Sequence, residues 1–492
     1  MITRRTLIQS AIALPSTFGN SAEAQSTSPR LQPKWLEAIA KQLQKEFHLP
    51  AVWVAVNIEG VVESAVVGVR KVGDPTLATL EDKLTVASIS KPMAGLWIAS
   101  LVDKGKLSYE AKVLDILPEL AADCLPEHEG ITLGQLCTHR AAVKRDASTS
   151  SSTLTLEQYP AERLRMAHEV LKDPSPAGSR GKEVYSNNGV TLAVTMAERA
   201  ARESYEVAAG RFFRERLKLK SWGVWAMNLP DDVSLPWPHT MKDKAAIANP
   251  PKSVQVHFVR PSGSAHCTIS DLARFGLIAV NSSPLSENLL KPETWQTILE
   301  HGDMDRTALG CFYAGGREFP VFDHGGSLGT TGSFLRVLPA WKCSFAYHTN
   351  ASADAVGGRG RELLQDAVRK CRAERNSPPA CRIALTHVAT MDSAWQKEIV
   401  PTSGDDRVRI KINFRIEARP RTGDLLTVVK LGDIERRDDR FAGLAAGNHT
   451  LHFEFDTPKT KDTPASVTVD ALGTAGNVTP EAARYVSALH LA

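Results

Sequence analysis

Cysteine is scarce in this chain, with seven in 492 residues, at positions 124, 137, 267, 311, 343, 371 and 381. That number is too small for a disulfide scaffold, and because it is odd at least one thiol stays unpaired in any compartment. Cys371 and Cys381 are placed to bridge a short loop. Neither Cys-x-x-Cys nor His-Glu-x-x-His occurs, so nothing in the spacing supports a metal site. A dominant charge is missing as well: Lys+Arg is 59 against Asp+Glu 55, a dispersed net charge of +4. An excess that small does not make an electrostatic reader of nucleic acid. No apolar run reaches the roughly eighteen residues that a membrane-spanning helix requires. No internal repeat or low-complexity tract is evident either.

What is there is ordinary globular usage, 42% hydrophobic and 23% charged. The length suits two or three domains at roughly 150 residues each, for instance a catalytic unit with an appended module. At the start, Thr3-Arg4-Arg5-Thr6-Leu7-Ile8-Gln9 sets a twin arginine before the mildly apolar Ser10 to Phe18 and the small-residue site Ala22-Glu23-Ala24. Residues 1–24 are therefore expected to be a cleaved export leader of twin-arginine type, delivering the protein to the periplasm. Its removal takes away Arg4, Arg5 and Glu23, leaving 4 − 2 + 1 = +3.

Trp35, Leu36, Ile39, Ala40, Leu43 and Phe47 recur at helical spacing, and two β-rich runs, Ala51 to Ile58 and Val61 to Val69, flank Glu59-Gly60. Helical patterns then dominate at Lys91–Asp103, Glu162–Lys172, Val190–Glu203 and Ser270–Val280. Strand patterns return at Phe334–Leu338 and Ser344–Thr349. The expected fold class is α+β: one antiparallel sheet flanked by helices, with a helical subdomain inserted between its first and last strands. The polar, proline-marked Arg375-Asn376-Ser377-Pro378-Pro379 reads as a linker, which divides the chain at 25–375 and 376–492. Beyond it, strict alternation at Val408 to Ile416, Leu451 to Phe455 and Val467 to Ala471 predicts an antiparallel all-β sandwich or barrel.

Three motifs bear on chemistry. In Ser88-Ile89-Ser90-Lys91, followed by Pro92 and an apolar helical run, the serine sits at a helix start with the lysine one turn on and facing the same way. Exposed backbone N–H groups at that end favour negative charge developing nearby. Taken alone, the same residues also fit an N-cap serine with a solvated lysine. Tyr185-Ser186-Asn187 lies in a polar loop ahead of a helix. A phenol near a lysine can pass a proton and an amide can hold a substrate carbonyl, while the plainer reading is a loop tyrosine with an N-cap asparagine. Asp323-His324-Gly325-Gly326-Ser327 leads into an apolar strand. Its glycines would let a substrate backbone approach closely, or merely make a turn entering that strand.

In this order the motifs resemble the Ser-x-x-Lys acyl-serine hydrolases: class C β-lactamases, low-molecular-mass D-Ala-D-Ala carboxypeptidases, D-aminopeptidases and related esterases. Further similar segments are Leu84-Thr85-Val86-Ala87, Lys106-Leu107-Ser108 through Leu117, Ile131-Thr132-Leu133 to Thr138-His139, and Ser270-Asp271-Leu272-Ala273-Arg274-Phe275. The resemblance spans roughly residues 35 to 370. It implies Ser88 as nucleophile, Lys91 as its base, Tyr185 as proton carrier and Asn187 as substrate-amide ligand. By the same resemblance His324, Gly326 and Ser327 belong to the substrate and oxyanion side, with the N–H groups of Ser88 and Ser327 forming the oxyanion hole. No cofactor or metal is implied, and the partner is a small peptide, amide or ester substrate. Which of lysine and tyrosine is the base stays open.

Two departures stand out. The family's Lys-Thr-Gly is His324-Gly325-Gly326 here, replacing a permanent cation with a group of ordinary pKa about 6.5, which favours a peptidase over a dedicated β-lactamase, with a β-lactamase or carboxylesterase on the same site as the alternative. The usual Thr-His-Thr-Ser-Gly reads Thr138-His139-Arg140-Ala141-Ala142. Two rivals remain. Gly325-Gly326-Ser327-Leu328-Gly329 matches the α/β-hydrolase nucleophile elbow, with His348 or His387 downstream, provided a helix follows the serine. The other rival is a non-catalytic binding or sensor protein on the same scaffold.

Overall fold

The computed structural model describes residues 33–375, except 152, 180, 226–231, 255–258, 300–305, 308–311, 316–320, 340–341 and 353–355, and seven later strands between 383 and 490. The expected leader and the Cys371–Cys381 pairing lie outside the described residues.

Helix α1 (Lys34–Phe47) buries Leu36, Ile39, Ala40 and Leu43, the single apolar stripe its spacing predicts, and stops at His48 in a left-handed conformation. The hairpin β1 (Ala51–Ile58) and β2 (Val61–Gly68) turns through Glu59 (φ 54°) and Gly60 (φ 92°), the positive-φ pair that a tight two-residue turn requires. All of β1 is buried, because it lies between two cores. Val52, Val54 and Val56 face α1, whereas Ala51, Trp53 and Ala55 belong to the core on the opposite side.

After β2 the chain leaves the sheet for a largely helical excursion containing α2 (Ser90–Asp103), α3 (Tyr159–Lys172), α4 (Asn187–Ala201) and α5 (Ile269–Ala279). It returns as β3 (Arg306–Thr307), β4 (Tyr313–Gly315), β5 (Val321–Ser327), β6 (Gly332–Leu338) and β7 (Cys343–Thr349), then α6 (Gly357–Arg375). The seven-stranded sheet has the order β2-β1-β7-β6-β5-β4-β3 and is antiparallel throughout. First and last strands thus meet at β1–β7, with the helical region inserted between them, as the sequence pattern predicts. Leu364 and Val368 of α6 join α1 on one face; Leu272, Phe275 and Leu277 of α5 cover the other.

The later strands are β8 (Ile383–His387), β9 (Arg407–Ile416), β10 (Asp424–Leu431), β11 (Ile434–Asp438), β12 (Gly447–Asp456), β13 (Pro464–Leu472) and β14 (Arg484–His490). They form two antiparallel sheets, β8-β9-β12 and β11-β10-β13-β14. The three runs picked out by alternation are β9, β12 and β13. Among the described residues no helix is long and apolar enough to cross a membrane.

The helical region carries a buried ion cluster. Arg163 of α3, wholly inaccessible, meets Glu198 of α4 (Nε to Oε2 3.1 Å) and Glu206 (Nη1 to Oε1 2.8 Å), and donates to the Val259 carbonyl at 3.2 Å. Removing one member of such a cluster strands the others in apolar surroundings, a cost of about 3–5 kcal/mol.

Burial, the largest cause in each case, pushes His139, His266, His324 and His348 down to about 3 and lowers His239 as well. The folded state keeps these rings neutral while the unfolded chain takes up protons near pH 6.5, so stability falls as pH drops through about 6.5 and continues to fall toward 3. Thermal melts between about pH 7 and pH 5, above the carboxylate range, should show the melting temperature falling by several degrees. A level melting temperature across that window contradicts the neutral assignment.

Candidate active site

Four stretches of chain converge on Ser88. The first is its own turn. A short three-stranded sheet, Leu84–Thr85 and Gly223–Val224 on either side of Ala265–Cys267, delivers the chain to Ala87, which holds φ 48°, a left-handed backbone uncommon for a residue with a Cβ. Ala87–Ile89 form one turn of 3₁₀ helix that runs into α2, so Ser88 lies just before the helix, partly exposed, while Ser90 through Leu101 are buried.

Lys91 is wholly buried, and its Nζ donates to Ser88 Oγ at 3.0 Å and to the Ser262 carbonyl at 3.0 Å. The second stretch, 262–267, is therefore part of the site. It is fixed along 85–90 by Val86 N–H to the Ala265 carbonyl (3.1 Å) and by Ala265 N–H to Ser90 Oγ (3.0 Å). Neither Ser262 nor Ser90 carries a sequence signal: one contributes only a carbonyl, the other only a structural hydroxyl.

The third stretch is the loop before α4. Ser186 caps α4 by accepting the Gly189 N–H at 2.9 Å, so the N-cap is Ser186 and not Asn187. Tyr185 immediately precedes the cap, and Lys91 Nζ lies 4.6 Å from its ring centroid. Asn187 donates its backbone N–H to the Arg145 carbonyl (3.0 Å) and its Nδ2 to Asp146 (2.8 Å). Its side chain is thereby oriented by a carboxylate that the sequence reading did not single out.

The fourth is β5. Along Phe322-Asp323-His324-Gly325-Gly326-Ser327 the even-numbered residues are buried and the odd ones more open. The glycines lie within the strand, paired with β6 from Phe322↔Val337 to Ser327↔Gly332, rather than in a turn before it. Among the described residues β4 pairs with Val321–Asp323. Gly326 lies against the turn that carries Ser88: a Cβ there would collide with the Val86 carbonyl and sit 3.2 Å from Ser88 N. His324 points inward, 2% exposed, with Nδ1 2.7 Å from the Gly325 carbonyl. Burial first, then the Lys91 charge, carries its pKa to about 3. Ordinary acid therefore does not make His324 the cation that its free pKa suggests.

The arrangement places a hydroxyl within reach of a buried amine, an aromatic phenol ring beside that amine, and β5 against the turn that carries the hydroxyl. A lysine takes a proton only as the neutral amine, the form that burial favours. The α/β-hydrolase elbow is overturned: Ser327 is followed by β6 and not a helix, its Oγ accepts the Gly329 N–H at 3.1 Å, and His348 is bonded to Ser333 (2.7 Å). Gly326→Ala should force β5 away from Ser88 and lower the rate of Ser88 labelling by a fluorophosphonate about tenfold or more. Labelling at the wild-type rate would show that this close approach does not matter.

The Beta-lactamase family model matches residues 36–395. Penicillin-binding protein 4 of Amycolatopsis lactamdurans is 22% identical over 362 residues, 69% of this chain and 91% of that protein. Among solved structures, the D-amino acid amidase of Ochrobactrum anthropi SV3 superposes with a TM-score of 0.56 at 13% identity, covering 69% of this chain and 99% of that one. A class C β-lactamase from Rhodobacter sphaeroides gives 0.53 at 16% identity, again over 69% and 99%. The sheet with its inserted helical region, the Ser88–Lys91 pair at the start of α2 and a family match over most of the chain lead to one conclusion: this chain belongs to the Beta-lactamase family.

Proposed function

We propose that the protein is a serine hydrolase that cleaves an amide, peptide-like bond through an acyl-Ser88 intermediate, a peptidase or amidase rather than a dedicated β-lactamase. The observation that carries this reading is the 3.0 Å Lys91 Nζ–Ser88 Oγ bond, with the lysine buried and the Tyr185 ring 4.6 Å away. Lys91 takes the Ser88 proton as Oγ attacks the substrate carbonyl. The tetrahedral oxygen then receives N–H groups from Ser88 and Ser327. Tyr185 passes the proton to the leaving amine, and water releases the acyl group by the reverse relay. Asn187, oriented by Asp146, holds the substrate amide.

The choice of substrate class rests on His324. A ring kept neutral by burial supplies no fixed cation where relatives resembling this chain hold lysine, so a substrate recognised mainly through a carboxylate at that point loses its partner. The O. anthropi neighbour, named a D-amino acid amidase and solved also with L-phenylalanine amide, agrees with this reading. The pattern at residues 1–24, read as a twin-arginine leader, supports action in the periplasm.

Ser88→Ala should remove nearly all turnover, and intact-mass measurement of the wild type with a slow substrate should show the acyl group on the peptide holding Ser88. Full activity in Ser88→Ala sinks the proposal, and a wild type that no fluorophosphonate labels points to a binding protein instead. Lys91→Ala and Tyr185→Phe should each cost about a thousandfold or more in kcat, without adding in the double variant. Across D-Ala-terminated peptides, L-peptides, D-aminoacyl anilides, nitrocefin and p-nitrophenyl esters, the highest kcat/KM among the amide-type bonds should fall on a peptide or anilide. Preference for nitrocefin would reverse the substrate assignment.

A further inference from the structure

One residue outside the three motifs holds three consecutive residues of the tyrosine loop. The His139 carbonyl accepts the Val184 N–H at 2.8 Å. Its ring packs on Tyr185, centroids 4.6 Å apart and planes inclined at 43°. Its Nδ1 accepts the Ser186 N–H at 3.3 Å. His139 itself has φ 59°, a left-handed conformation at the end of the short helix Leu133–Cys137, and its ring is 2% exposed. A left-handed backbone is costly for most residues with a Cβ and persists where the surroundings over-determine it. Here the two hydrogen bonds and the ring contact to 184–186 supply that determination.

We infer that His139 is a positioning residue, a clamp that sets where the Tyr185 phenol stands relative to Lys91 and Ser88. The inference rests on the proposed role of Tyr185 as proton carrier. Nδ1 works as an acceptor only without its proton, so the ring must be neutral with its hydrogen on Nε2. Burial, with Lys91 and Arg140 as the nearby cations, keeps it so by lowering its pKa to about 3. The tyrosine contributes through placement, and displacement by about 1 Å costs on the order of a hundredfold in rate. His139 would therefore matter to chemistry without touching substrate.

Two variants separate the parts of the clamp. His139→Phe keeps a ring against Tyr185 and loses the acceptor. His139→Asn keeps an acceptor oxygen at the branch position that Nδ1 occupies and tolerates the left-handed backbone, but loses the ring. With an amide substrate, His139→Phe should lower kcat about ten- to a hundredfold while KM changes less than about twofold, and His139→Asn should recover part of that loss. On a p-nitrophenyl ester, whose leaving group needs no proton, the losses should be smaller. The deciding comparison repeats both substitutions in the Tyr185→Phe background, where neither should cost more than about twofold. Losses that multiply there as they do beside Tyr185 overturn the clamp and leave His139 as a fold residue. Should His139→Phe melt, the same comparison with His139→Asn decides. A Tyr185→Phe variant as active as wild type, with Ser88→Ala dead, overturns the proton-carrier role and the clamp together, while Ser88 as nucleophile stands.

Discussion

The site depends on an amine held where water does not reach it. Lys91 is wholly buried, and its Nζ is placed by the Ser88 hydroxyl one turn away and by the main-chain carbonyl of Ser262, 171 residues on from the lysine. An ammonium group in such surroundings loses hydration that a few neutral dipoles only partly replace, and the base role proposed for Lys91 draws on that cost. Keeping the Ser262 carbonyl in place is thus a requirement on the whole fold. It is met by the strip that ties 265–267 to 84–85 and by the Arg163 cluster, which anchors Val259 three residues earlier to two helices of the inserted region.

Around that amine the chain has placed neutral groups. His139 and His324 both have their pKa pushed down to about 3, first by burial and then by the Lys91 charge itself. Two imidazoles that ionised in this space would stack cations against Lys91, so their neutrality and its burial support each other. Backbone geometry makes the space. Gly326 lets β5 lie against the Val86 carbonyl, and Ala87, at φ 48°, turns Ser88 out of the core just before α2 begins. At Ala142, where the family pattern has glycine, the chain still holds a left-handed φ of 53°. The neighbouring 145–147 segment is bonded to Asn187 and Asn188.

Elements with a strong period were legible from the sequence: α1, the β1–β2 hairpin, α2, α5, β6, β7 and, beyond residue 380, β9, β12 and β13 fall where periodicity places them, within a few residues. Strand β5 was not, since His324-Gly325-Gly326-Ser327 has little strand propensity and becomes a strand through its pairing with β6. The α/β-hydrolase pattern at Ser327 failed for the related reason that a five-residue motif says nothing about the element that follows it. The family match also runs to residue 395, past the boundary that composition suggests at 375.

The sequence by itself determined the candidate chemistry: a serine and a lysine one helical turn apart, a tyrosine ahead of a helix and a glycine pair before an apolar strand. Within each motif the residues stand at short, fixed separations, which local geometry sets whatever the rest of the chain does. Only the tertiary structure decided the setting. The Ser262 carbonyl, the hold of His139 on residues 184–186, the orientation of Asn187 by Asp146 and the low pKa of His324 all come from contacts across dozens to hundreds of residues. Main-chain groups look alike in every sequence, and burial is a property of the packed chain, so neither could be read before the fold was known.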